Sequence, residues 1–183
     1  PWSATFVSWV MVRAGLPGFR PDASHLAYVR AAYLRPQASA YEYRDPVRAK
    51  PAAGDLLCYV RHSNHAFGHQ GLQALLEKPG GLFMHCDIVV AANPGNDATA
   101  YLIGGNVQQG VTMRMVPLNR NGEFWGGLPL RIGDGTLCAP DNAAACNMNR
   151  QDWAAILRLK SPAELAKLPG YLPPAQDAPE ASP

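Results

Sequence analysis

The sequence predicts an α+β fold, with N-terminal helices packed on an antiparallel sheet of about four to six strands. Two observations predict it. Up to Pro36, apolar residues recur at helical spacing, in two segments separated by "GLPG". From Asp55 to Leu118 the texture changes to short apolar or alternating runs with turn signals between them. Helices and strands are therefore segregated along the chain, which marks the α+β class.

"SATFVSWVMVRAG" reads as a first helix of about three turns. Phe6, Val10 and Ala14 share a face, Val7 and Met11 pack beside them, and Gly15 supplies the stop. "DASHLAYVRAAYLRP" is a second helix, capped by Asp22 or Ser24 and ended by Pro36. Leu26, Val29 and Tyr33 mark its buried face. The polar stretch "QASAYEYRDPVRAKPAAG" reads as a connector. "DLLCYVR" is a short strand, and "HSNHAFGHQGLQALLEKPGG" an irregular excursion with one helical turn. "LFMHCDIVVAA" is a long strand. "NPGND" turns into the strand "ATAYLIGG", and "NVQQG" turns into "VTMRMVPL". That last run alternates, with Val111, Met113 and Met115 on one face and Thr112 and Arg114 on the other. Beyond Pro117 the chain is rich in glycine and asparagine, with a short strand at "LPLRI". "DWAAILRL" reads as a last short helix. We expect one domain over residues 1–160, with its core in 1–118, a loop-rich extension in 119–160 and a proline-rich tail in 161–183, extended or disordered.

Composition excludes several classes. With 48% hydrophobic and 16% charged residues, the 183-residue chain is globular and weakly charged. A net charge of +2 without a basic stripe gives no footprint for nucleic acid. No apolar run approaches the roughly 20 residues of a membrane span. The chain begins at Pro1 rather than Met, so we expect a longer precursor, any leader lying upstream.

Four cysteines stand at 58, 86, 138 and 146, none in a CxxC pair that would suggest structural zinc. Cys138 with Cys146 is the favoured disulfide, because "CAPDNAAAC" is a short polar loop that such a bond would close. Cys58 and Cys86 then remain as a second pair, each inside a strand-like run. Four buried or free thiols are the alternative. Disulfides would imply an oxidising compartment, the periplasm or the cell exterior.

Ser3 opens the first helix. It is either a helix cap or a nucleophile beside the free N–H groups of a helix N-terminus, which could hold an oxyanion. His85 lies in an apolar strand, with Asp87 two residues on and therefore on the same face; two polar groups there suggest a cleft wall. The plain alternative is a histidine satisfied in the core. Asn106 ends the following strand. It is either an ordinary turn residue or, across the "NPGND" hairpin, a group that fixes the His85 tautomer. "RHSNHAFGH" brings His62, His65 and His69 together, but without a carboxylate or cysteine it reads as a substrate or lid loop rather than a metal site. Gly104-Gly105 and Gly126-Gly127 open no helix bearing GK[ST], so they are read as turns rather than phosphate loops. No metal or cofactor is expected.

In order, "PWSATFVSWVMVRAGLPG", "PAAGDLLCYVR", "HCDIVV" and "IGGNV" resemble the NlpC-type cell-wall peptidases and CHAP amidases of the papain-like superfamily. They resemble more closely still the bacterial domain-of-unknown-function family 2272, over about residues 1–118. The resemblance implies a half-barrel sheet crossed by the first helix, with the nucleophile at that helix's N-terminus. It implies Ser3 in the place of the family cysteine, His85 as general base, Asn106 as the orienting residue helped by Asp87, and Asp55 as structural. Trp2, Tyr59 and Arg61 are the substrate-binding candidates. The implied partner is peptidoglycan or its peptide fragments, in the periplasm or cell envelope.

The departure is serine for cysteine. A hydroxyl is far less acidic than a thiol and needs a well-oriented base. Three explanations follow: a native serine hydrolase, an inactive domain that binds peptidoglycan or a partner protein, or an engineered replacement, ranked last. An acyl-transfer or lipid-directed enzyme is a weaker fourth reading.

Overall fold

The computed structural model describes residues 2–61, 68–125 and 151–170. Helices α1 (Ser3–Arg13) and α2 (His25–Leu34) come first. Strands β1 (Tyr41–Arg44) and β2 (Leu56–Val60), helix α3 (Gly68–Leu76), and strands β3 (Met84–Ala92), β4 (Thr99–Val107) and β5 (Gly110–Pro117) follow. Strand β6 (Trp153–Leu159) and the short helix α4 (Pro162–Leu165) close the described chain. The six strands form one antiparallel sheet in the order β1-β6-β2-β3-β4-β5.

Each face of this sheet carries a core. Leu56, Cys58, Val60, Cys86 and Ile88 pack with Val7, Met11, Leu26 and Val29 from the helices. Leu57, Tyr59, Val89, Leu102, Phe124, Trp153 and Ile156 form the second cluster. Burial on both sides explains why all five residues of β2 are buried and why β2 reads as one unbroken apolar run.

Several expectations are corrected. "DWAAILRL" is not a helix but β6, inserted between β1 and β2. The first five residues of β6, Trp153 to Leu157, are buried on both faces and carry no distinguishing period, so the short length favours a strand. The stretch read as a connector contains the edge strand β1, whose partner β6 comes more than a hundred residues later. The excursion before β3 holds a nine-residue helix rather than one turn. In α1 the buried stripe is Ser3, Ala4, Val7, Ser8 and Met11; Val7 and Met11 are buried as expected, whereas Phe6 and Val10 are half-buried and Ala14 is exposed. Three residues of the stripe are small, which lets the helix approach the sheet closely. Gly104 and Gly105 lie inside β4, not in a turn. The predicted alternation in β5 holds, with Arg114 buried and Val111, Met113 and Met115 exposed. Within the expected tail, residues 162–165 are helical, and Ser161 and Glu164 form a capping box.

Cys58 and Cys86 stand opposite each other in the β2–β3 ladder and form a disulfide of 2.08 Å, both fully buried. No cysteine among the described residues is free. Cys138, Cys146, His62, His65, Gly126-Gly127 and the "LPLRI" strand lie outside the described residues. Asp55 is buried. Its carboxylate accepts from Ala52 N at 2.9 Å and Leu159 N at 2.8 Å, tying the β2 lead-in to the end of β6.

Candidate functional site

The site forms where the starts of α1 and α2 meet β3. Trp2 occupies the cap position of α1, so Ser3 is the first helical residue and not the cap. Its hydroxyl is used elsewhere: His25 Nε2 lies 2.9 Å from Ser3 Oγ. The first backbone bond of α1 runs from Phe6 N to Trp2 O. The N–H groups of residues 3–5 therefore have no intrahelical acceptor and sit at the positive end of the helix dipole. Ser3 is only 2% exposed.

His25 is the first residue of α2, and its Nδ1 is bonded to the hydroxyl of Tyr28, one turn on. If Nδ1–H donates to the phenol oxygen, Nε2 presents a lone pair to the Ser3 hydroxyl. Burial, with help from nearby His85 and Arg61, pushes the His25 pKa down to about 2. Burial likewise pushes the Tyr28 hydroxyl well above its ordinary value. His25 is therefore neutral across the physiological range, in the protonation state of a base but with weakened proton affinity.

The His85 ring packs 5.2 Å, centre to centre, from that of His25. Both of its nitrogens are engaged. Arg61 Nη2 donates to Nδ1 at 2.7 Å, and Nε2 lies 2.7 Å from Asp87 Oδ1. A guanidinium can only donate, so Nδ1 must hold a lone pair and Nε2–H donates to Asp87. The neighbours at i and i+2 are thus directly bonded. Asp87 Oδ2 lies 2.8 Å from Arg114 Nε, close but out of hydrogen-bonding line, so the pair is ionic rather than directed. The Tyr59 ring lies tilted against His85 and edge-on to Trp153, at 5.4 Å each, with the Arg114 guanidinium 5.7 Å from the Tyr59 ring.

The sequence candidates therefore separate into two connected groups. Ser3 meets His25, which reading the residues singly does not select, whereas His85, Asp87, Arg61 and Tyr59 form a wall beside that pair. The available signal for His25 was its place in the first turn of an amphipathic helix, with Tyr28 at i+3. Arg114 carried a similar signal, as a cation on a strand face otherwise continued by Val116. Asn106 sits half-buried with φ 58° where the β4–β5 register shifts, and neither nitrogen of His85 is left for it. Trp2 is 42% exposed, and its ring meets Phe6 edge-on. His69 Nδ1 lies 3.0 Å from Ala154 O and its ring stacks on Tyr43, so it acts in packing α3. The described residues contain no group of three or more potential metal ligands.

The family model described as "uncharacterized protein conserved in bacteria (DUF2272)" matches residues 1–159, and the chain belongs to that family. The match reaches past residue 118 to the end of β6, consistent with β6 lying inside the sheet between β1 and β2. No curated protein and no solved structure matches the chain.

Proposed function

We propose that this family member is a hydrolase of the papain-like, NlpC and CHAP type, cutting a peptide or amide bond of peptidoglycan with Ser3 as nucleophile and His25 as its base. The observation that carries the reading is the 2.9 Å contact between His25 Nε2 and Ser3 Oγ at the start of α1. Ser3 Oγ attacks the carbonyl carbon while its proton passes to His25 Nε2. The free N–H groups of α1 face the developing oxyanion. The C–N bond then breaks, the proton moves to the departing amine, and Ser3 is left as an ester. Water, deprotonated by His25, releases the acid and restores Ser3. His85 and Asp87 are positioning residues that hold Arg61 and the side of the His25 ring. A helix with its N-terminus at an antiparallel sheet supports the papain-like assignment. The Cys58–Cys86 disulfide supports a periplasmic or extracellular location. No helix among the described residues is long and apolar enough to cross a membrane.

A second reading, an inactive domain that binds peptidoglycan, is favoured by one observation: Ser3 is nearly sealed and its base is weakened by burial. Incubation with peptidoglycan sacculi, read by mass spectrometry, separates the two. The hydrolase reading expects defined soluble fragments from wild type and none from Ser3→Ala or His25→Ala. Wild type that sediments with sacculi but releases nothing would establish the binding reading. Loss in His85→Ala with activity kept in His25→Ala would return the base role to His85.

A further inference from the structure

We propose that Arg61 is an anion-recognition residue, and that the anion is a carboxylate carried by the substrate next to the carbonyl that Ser3 attacks. The position of that carbonyl rests on the reading above.

Arg61 directly follows β2 and is held at its backbone, where its N–H donates to Phe83 O at 2.7 Å. Its Nη2 donates to His85 Nδ1, which leaves the guanidinium one imidazole away from His25. Its Nε is buried and has no hydrogen-bond acceptor among the described residues. No carboxylate among the described residues lies within ion-pair distance of Arg61. The nearby Asp87 is already divided, one oxygen on His85 and the other on Arg114.

The charge balance points the same way. The cluster holds two guanidinium groups, Arg61 and Arg114, against the single carboxylate of Asp87. Neither imidazole supplies negative charge. Arg114 is 3% exposed, yet among the described residues its Nη1 also lacks an acceptor, as does the indole N–H of Trp153 beside it. Unpaired charge and unmet donors are costly in an interior. A carboxylate fits a guanidinium through two parallel, charge-assisted bonds.

The position has a catalytic consequence. Arg61 is one of the groups that weaken His25 as a base. A carboxylate seated on Arg61 offsets its field at His25 and strengthens the base only when the right substrate is bound. A neutral analogue leaves the base weak.

The test uses Ser3→Ala protein, so that binding is read without turnover. Histidine side-chain NMR follows titration with N-acetylglycinate, with the neutral N-acetylglycinamide as its isostere and inorganic phosphate as a third probe. The expected result is saturable movement of the His25 and His85 ring signals with the carboxylate and none with the amide. Arg61→Gln should weaken carboxylate binding about tenfold or more, and Arg61→Lys should recover part of it. Equal response to the amide, a stronger response to phosphate, or unchanged binding in a folded Arg61→Gln protein would overturn the proposal. Should Arg61→Gln fail to fold, Arg61→Lys and the probe comparison decide. Carboxylate binding without sacculus cleavage by wild type sinks only the hydrolase reading. Cleavage without carboxylate preference sinks only this one.

Discussion

Asp87 Oδ1 occupies the space where a side chain at Gly104 would begin. The glycine is thus part of the site, because it lets the carboxylate lie against β4 while bonding His85. Its neighbour serves the opposite face: a Cβ on Gly105 would stand 2.5 Å from Phe6 Cβ, so this glycine lets α1 settle on the sheet. Together the pair sets the spacing between Ser3 on α1 and the wall built on β3.

Gly104→Ala should therefore displace Asp87 rather than merely fill space. We expect a loss of about 1–3 kcal/mol in urea unfolding, in the range of overpacked cores. The His85 ring signals should move in NMR, because their carboxylate partner has moved. An alanine variant with native stability and unmoved His85 signals would contradict this.

His25 sets a pH dependence whose sign follows from burial. Its ordinary value of 6.5 applies to the unfolded chain, and in the fold it falls to about 2. Below pH 6.5 the unfolded state takes up a proton that the native state refuses. Stability is thus fully present above that value and is lost as pH falls toward 2. The groups facing His25 are Ser3, Tyr28, His85 and Arg61, none of them a carboxylate that would reverse the sign. Between pH 7 and 5, wild type should lose roughly 2 kcal/mol more than His25→Gln in urea unfolding. Parallel curves for the two proteins would show that His25 is not held neutral.

How much of this was legible in the sequence depends on the range of the interaction. Strand alternation places His85 and Asp87 on one face, and their 2.7 Å bond uses that local geometry. The start of α1 at Ser3 is equally local. The Ser3–His25 contact is not, because it joins residues 22 positions apart on two helices through packing that no periodicity encodes. Strand β6 escapes for a similar reason. Its run suits a buried helix or a buried strand, and only pairing with β1 and β2 decides between them. The role of Arg114 needs both β3 and β5 in register.

Asp55 should prove structural rather than catalytic. Asp55→Ala removes the acceptor for two backbone N–H groups at once, and we expect a cost of about 2–3 kcal/mol in chemical denaturation. Burial raises the pKa of this carboxyl despite those bonds, so its charge is held at a penalty. Asp55→Asn keeps one acceptor and removes the buried charge, and should cost less than alanine. Fragment release from sacculi, per folded molecule, should be unchanged in both. A selective loss of release in Asp55→Asn would assign the residue to the site.

The Cys58–Cys86 disulfide joins β2 to β3 at the ladder position next to the facing pair Tyr59 and His85. It closes a loop with a sequence separation of 28, for which chain entropy gives about 3–4 kcal/mol of stabilisation. The bond is fully buried, so a mild reductant should leave the native protein oxidised and act only as the chain unfolds. Urea transitions should therefore shift to lower denaturant with dithiothreitol present during unfolding, by the same amount as in a Cys58→Ala/Cys86→Ala double variant. Because β2 also pairs with β6 and β3 with β4, the ladder should survive without the bond, and the double variant should fold with the His85 signals little moved. A double variant as stable as wild type would show that the bond contributes no stability, and strongly moved His85 signals in a folded double variant would show that the bond, not the ladder, positions His85.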